Sequence, residues 1–396
     1  MKDLEYLLRF VDEHKDDNPD RLLLSTKRYP EVDMPLAVDQ ILARRKVKDK
    51  LPSWWANKEV LFPSRISAEQ CSGEWAAAYK QTLVSAGVRM CDLTGGLGVD
   101  SYFFSRKVRS LTYLERFAFY CEAARHNFRV LGADNIEVVN GDSLSALEGK
   151  GPFDLFYIDP ARRGDGNKRV FALQDCEPDL TVLLPGLFAY APRVIAKISP
   201  MADIHQTLAL LPWAIEVHVL SVRNECKELL FIMDNDEQSM RAEAPRIVCV
   251  NLGSDQTVFT FTPVEEEQSP SLVSGEVGTY LYEPNASILK AGAFKAVATR
   301  FGLSKLHVSS HLYTSEEAVS GFPGRSFIVE EVIPFTNKQC KALSGQIPQA
   351  NITVRNFPLS VEELRKRTRI ADGGDAYVFA TTLAGGDKVL IKTRKR

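Results

Sequence analysis

The residues best suited to chemistry are carboxylates that recur at the ends of apolar runs. Asp92 lies near the end of the run 88–93, directly before Thr94-Gly95-Gly96-Leu97-Gly98. Glycines there let the backbone turn tightly and let a ligand approach. A carboxylate at that turn repels a pyrophosphate and welcomes a ligand with a cationic or zwitterionic end. Glu115 follows about twenty residues on, the spacing at which a carboxylate holds ribose hydroxyls. Its two oxygens can each accept a hydrogen bond from a vicinal diol. Asp142 ends a third run, in Asn140-Gly141-Asp142-Ser143. Its carboxylate can accept from an exocyclic amine or cap the helix that begins near Ser143, and both readings stay open. A fourth run ends in Asp159-Pro160-Ala161-Arg162-Arg163-Gly164. A carboxylate beside the ligand can accept hydrogen bonds from an amino group to be modified, and Pro160 stiffens the turn. Arg162 and Arg163 can pair with phosphate or stack on a base, or bridge to Asp165 and Asp175.

Those positions require strands that end side by side. Apolar runs at 88–93, 110–114, 136–139, 154–158 and 193–198 alternate with amphipathic stretches, which predicts an α/β fold with a parallel sheet. Sixth and seventh strands, at 213–220 and 228–233, are expected to pair antiparallel, and 246–250 with 257–262 to form a further hairpin. Residues 1–85 read as a helical region, with Leu4, Leu7, Leu8 and Val11 at helical spacing. Ser67-Ala-Glu-Gln70 has the form of a capping box opening a helix to about residue 83. That helix could lie over the ligand, with Gln70 and Ser72 touching it or merely capping and packing. The basic run 44–50 reads as a solvated helix end, with an RNA patch as the alternative. Trp54 and Trp55 read as anchors that could also stack on bases.

Acidic 265–270 reads as a linker, followed by a helix over 287–301 and a β-α-β-α-β-β pattern with basic clusters at 365–369 and 392–396. The expected domains are 1–85, 86–262, a linker with a small module over 263–324, and 325–396. Formal net charge is −2 over 396 residues, so nucleic-acid contact must rest on local clusters. No apolar run reaches the roughly 18 residues of a membrane span, and no charged-then-apolar leader opens the chain. We expect a cytoplasmic protein with no membrane partner. Its seven cysteines never form a Cys-x-x-Cys pair, so neither a metal nor a disulfide framework is expected.

With its motifs in this order, 86–262 resembles the class I S-adenosylmethionine (SAM)-dependent methyltransferases. The resemblance implies a Rossmann-like, seven-stranded core. It implies SAM held by Asp92, Thr94, Gly95, Gly96, Gly98, Glu115 and Asp142, with Asp159, Pro160 and Arg162 as catalytic residues. The fourth motif is similar to the Asp-Pro-Pro-Tyr signature of enzymes that methylate exocyclic amines of adenine or guanine. Ala161 and Arg162 stand where that signature has its second proline and its aromatic. RNA uracil-C5 methyltransferases place an arginine after a similar turn but need a cysteine after the fifth strand. Lys197-Ile-Ser-Pro-Met201 has none. The tail, with Arg355-Asn-Phe-Pro-Leu359 and Ala371-Asp-Gly-Gly-Asp375, looks like the α+β THUMP-like domain of a bacterial methyltransferase group. About 275–322 could be the ferredoxin-like module beside it. True THUMP domains bind tRNA. The resemblance carries no substrate with it; the basic clusters of the tail, the arginines after Asp159 and the Asp159 carboxylate lead us to expect a methyltransferase acting on a base nitrogen in structured RNA, tRNA or rRNA. The alternatives are a non-catalytic RNA-binding adaptor with a vestigial methyltransferase fold, or an enzyme with a non-RNA substrate.

Overall fold

A computed structural model describes all residues except 1, 142–145, 147, 163–172, 174–175, 237–243 and 254–255. The first strands are β1 (Arg89–Asp92), β2 (Ser110–Glu115), β3 (Ile136–Asn140) and β4 (Leu155–Ile158). Next come two short strands, β5 (Ala161–Arg162) and β6 (Cys176–Glu177), which pair only with each other. Then follow β7 (Arg193–Ile198), β8 (Ala214–Val222), β9 (Glu225–Asp234), β10 (Arg246–Leu252) and β11 (Thr257–Phe261). The sheet order is β11-β10-β8-β9-β7-β4-β1-β2-β3. From β7 to β3 the pairings are parallel. The chain builds outward from β1 to β3, then crosses to β4 on the other side. The topological switch point, where such sheets bind ligands, therefore lies between the C-terminal ends of β1 and β4.

The sheet contains the seven expected strands and two more, nine in all. The hairpin read as an addition joins the same sheet, because β10 runs parallel beside β8. Between β8 and β9 stands a two-residue turn, Arg223-Asn224, with φ of 51° and 62°. Both positive angles mark the primed turn that suits a hairpin's twist.

Contacts divide the chain into two compact units, one of Met1–Ile215 with Leu230–Ala242, the other of Glu216–Leu229 with Glu243–Arg396. In the first, the helical N-terminal region serves two cores. Leu7, Phe10, Val11, Leu22, Met34 and Ile41 form one. Trp54, Phe62, Ala77 and Val84 belong instead to the core of Met90, Val99, Phe104, Tyr113 and Tyr157, beneath β1, β2 and β4. Trp54 is the anchor expected of it, whereas Trp55 is exposed with the Lys48 ammonium 5.4 Å from its ring centre. The basic run is not simply solvated. Arg44 is buried and donates to the carbonyls of Asn57, Lys58 and Val60.

The capping box sits three residues earlier than expected. Ser64 caps the helix Arg65–Gln70, with Ser67 as its reciprocal partner. A separate helix, Glu74–Thr82, starts after Gly73. The break arises because Glu74 N–H bonds to Lys50 O at 2.8 Å instead of continuing the helix.

The second unit carries β12 (Tyr280–Pro284), β13 (Ser304–Lys305), β14 (Tyr313–Ser315), β15 (Gly324–Pro334), β16 (Gln349–Arg355), β17 (Ala371–Thr382) and β18 (Lys388–Lys395). Their order is β13-β14-β12-β15-β18-β17-β16. Helices Asn337–Gln346 and Val361–Thr368 bury Leu343 and Leu364 against Ile333, Val378 and Leu390. The helix expected over 287–301 is two, Ala286–Ala291 and Phe294–Phe301, because Gly292 adopts φ 78° between them. The expected linker holds a short helix, Pro263–Gln268, capped by Thr262. Among the described residues no helix is long and apolar enough to cross a membrane. No group of three His, Cys, Asp or Glu is placed there to hold a metal.

Glu283 on β12 is 2% exposed and pairs with both Arg325 and Arg355. Removing it leaves two guanidinium groups facing each other beside a buried strand, although each can partly rehydrate. Glu283→Ala should destabilise by about 2–3 kcal/mol. Glu330→Ala, which loses surface pairs with Lys392 and Arg394, should cost under about 1 kcal/mol. Urea unfolding monitored on the full chain checks the contrast, and equal losses would contradict it.

Candidate active site

The turn after β1 is pinned to both neighbouring strands. Leu93 N–H donates to Tyr157 O at 2.9 Å, and Gly95 N–H to Leu114 O at 2.8 Å. This draws Gly95 so close to Tyr113 that a Cβ would stand 2.2 Å from its ring. Tyr113 OH also donates to Gly96 O at 2.5 Å. Gly98, at φ 84°, starts the helix Val99–Ser105. A side chain there would meet both a disfavoured backbone angle and Phe128, 2.7 Å away. Only glycine satisfies these positions.

Glu115 ends β2 where the spacing places it. Its Oε2 accepts Gly96 N–H at 3.0 Å and its Oε1 accepts Phe117 N–H at 2.9 Å. Each oxygen keeps a lone pair that a ribose hydroxyl could use. A bare turn with positive φ at Gly96 and Gly98, closed on one side by this carboxylate, fits the nucleoside and amino-acid ends of SAM.

Asp92 differs from the expectation that its carboxylate faces the ligand. It is 1% exposed. Its Oδ1 accepts Thr94 N–H at 3.0 Å and its Oδ2 accepts the Ser101 hydroxyl at 2.5 Å. It therefore ties the glycine turn to the helix that follows. Burial pushes its carboxyl up to about 7, against the lowering effect of those two bonds.

Asp159 follows β4 at the switch point. Its N–H donates to Thr94 Oγ1 at 2.7 Å, so the fourth motif and the glycine turn share one edge. Its Oδ2 pairs with Lys197 near the end of β7. Behind them lies Asp100. Its Oδ2 accepts Ser72 Oγ–H at 2.8 Å and Tyr157 O–H at 2.8 Å, and its Oδ1 lies 2.8 Å from Lys80 Nζ. Lys80 is 0% exposed. Burial raises the Asp100 carboxyl, but Lys80 and Lys197 outweigh it and hold the group below its ordinary value.

Ser72 thus contacts Asp100, and Gln70 is exposed at the end of its helix. The Lys80–Asp100 and Lys197–Asp159 pairs were missed in the sequence. A lysine inside the apolar run 193–198 was the visible signal of the second. Asp142, Asp165, Asp175 and Arg163 lie outside the described residues. Arg162 is placed by its backbone, opposite Cys176 in the β5–β6 pair. Several cations of the tail have internal partners. Arg365 donates to Ala350 O, Ile370 O and Ala371 O and pairs with Asp372. Arg396 donates to Val319 O.

Comparison with known proteins adds three findings. Family models match residues 280–323 as a ferredoxin-like domain and 324–395 as a THUMP-like domain. A crystal structure from Porphyromonas gingivalis W83, provisionally named a methyltransferase, matches with a TM-score of 0.92 and 40% identity, over 100% of this chain and 98% of that one. Protein-L-isoaspartate O-methyltransferases of Rhodopseudomonas palustris strains BisB5 and HaA2 are 33% identical over 82 residues, 21% of this chain. The chain spans 38% of the length of those curated relatives.

The buried Asp92 makes stability depend on pH with a definite sign. The folded chain keeps a proton up to about pH 7, whereas the unfolded chain releases it near the ordinary carboxylate value. Stability from this group is present at low pH and is lost as pH rises from about 4 to 7. Asp92→Asn removes the charge and keeps the acceptor toward Thr94. Relative to the wild type, its stability should rise across that window and level off above it, by up to roughly 4 kcal/mol. Urea midpoints at several pH values test this, and a pH-independent difference would refute it.

Proposed function

The chain belongs to the family of SAM-dependent methyltransferases that carry a C-terminal THUMP-like domain, and from that membership we propose that it methylates a base nitrogen in structured RNA, tRNA or rRNA. SAM is its cofactor, and when bound it supplies an activated methyl group. The backbone of Thr94, Gly95, Gly96 and Gly98 would receive the amino-acid end, and Glu115 the ribose. Asp142 is assigned to the adenine.

The observation that carries the reading is the bond from Asp159 N–H to Thr94 Oγ1. It draws the Asp159 backbone to the turn that would hold the donor, which supports a role for its carboxylate there. Asp159 would accept a hydrogen bond from the acceptor nitrogen and favour the positive charge that develops on it. Pro160 stiffens that turn, and Arg162 is assigned to base or phosphate. Alignment does most of the work, since the donor is already activated. The matched THUMP-like and ferredoxin-like segments support RNA as the acceptor, with binding through a subset of the tail's cations.

Two outcomes are expected from the full chain and labelled SAM. RNA from a strain lacking the gene should gain label on a nitrogen of one nucleoside, identified by mass analysis. Asp159→Ala should lower turnover about 100-fold or more while affinity for S-adenosylhomocysteine changes less than about threefold. Label entering only protein or small molecules would overturn the RNA reading. Binding should also be salt-sensitive. RNA affinity should drop more than about tenfold between 50 and 200 mM salt. A flat response would remove phosphate contacts from the account.

A further inference from the structure

Asp159 is not an isolated acceptor, and its pairing with Lys197 is an arrangement the motif alone does not demand. Lys197 lies on β7, the strand beside β4, so its side chain starts from the neighbouring strand end. At 17% exposed it is largely removed from water, whereas Asp159 is 35% exposed. A long lysine stem normally samples many rotamers, and fixing one costs up to about 2 kcal/mol of entropy. Here the ion pair with Asp159 does the fixing, and the Asp100 carboxylate adds a second negative charge in the same field. Asp100 lies in the field of both Lys80 and Lys197 and is itself anchored by Ser72, Tyr157 and Lys80.

We propose that Lys197 is a positioning residue: reaching from β7, it holds Asp159 Oδ2 so that Oδ1 meets the N–H of the methyl acceptor. The inference rests on the reading of Asp159 as the group that receives the acceptor. During transfer the nitrogen lone pair forms the new N–C bond, and the donor's S–C electron pair returns to sulfur. The nitrogen then releases a proton to Asp159 or to water. A carboxylate free to turn about χ2 would present the wrong oxygen, or none, during part of each encounter. Small errors in alignment at such a centre lower the rate by large factors.

The test uses four full-length variants: Lys197→Met, Lys197→Arg, Asp159→Ala and the double variant Asp159→Ala/Lys197→Met. Methylation is measured on RNA from a strain lacking the gene. S-adenosylhomocysteine affinity and melting temperature are measured without RNA. Lys197→Met should lower kcat about 30-fold, with affinity within about threefold of wild type and little change in melting temperature. Lys197→Arg should recover most of that loss. The double variant should be no slower than Asp159→Ala, because Lys197 acts through Asp159.

Full activity in Lys197→Met beside an inactive Asp159→Ala overturns this inference alone. So do losses that multiply in the double variant, or a parallel fall in kcat, affinity and melting temperature that arginine does not rescue. Full activity in Asp159→Ala would instead overturn the reading of Asp159 itself, and this inference with it.

Discussion

A buried lysine that keeps its charge needs an anion beside it, and Lys80 has Asp100. Breaking such a pair by removing one partner typically costs about 3–5 kcal/mol, because the other charge stays buried. That requirement ties three pieces of chain together. Lys80 comes from the helix Glu74–Thr82, Asp100 from the first turn after the glycine loop, and Tyr157 from β4. The segment before β1 is therefore a structural part of the site. Its apolar residues Trp54, Phe62 and Ala77 share one core with Met90, Val99 and Tyr113.

The same constraint organises the edge where chemistry is proposed. With Asp100 fixed, the helix Val99–Ser105 is fixed, and with it the glycine turn that caps it. Tyr113 presses on that turn from β2 and closes it through Gly96 O. Asp92 closes it from below through Thr94 and Ser101. Rigidity is thus placed under the loop, which leaves its upper face as bare backbone beside Glu115. A preorganised cradle of this kind suits a reaction that depends on alignment more than on proton transfer.

Much of this was legible in the sequence, and for identifiable reasons. Apolar runs that each end in a carboxylate follow from strands that must be buried and must finish at one edge. The spacing from Gly95 to Glu115 is the length of one helix and one strand. The direction of the Asp92 carboxylate was not legible, since it depends on Ser101, nine residues on in the first turn of the helix after the glycine loop. The charge pairs were hidden because Lys80 and Lys197 are far apart in sequence and each looks ordinary alone. The capping box was misplaced by three residues because Ser64 and Ser67 offer competing starts, and Ser64 takes the cap with Ser67 as its N3 partner. The further hairpin at 246–262 was legible, but not its place beside β8, because periodicity gives a strand's existence and not its neighbour.

The most direct test of the central claim is a crystal structure of the full chain with S-adenosylhomocysteine. The account predicts its amino-acid end on the backbone of Gly95–Gly98, its ribose hydroxyls on Glu115, and its sulfur directed toward Asp159. Ligand bound elsewhere, or a sulfur turned away from Asp159, would contradict it.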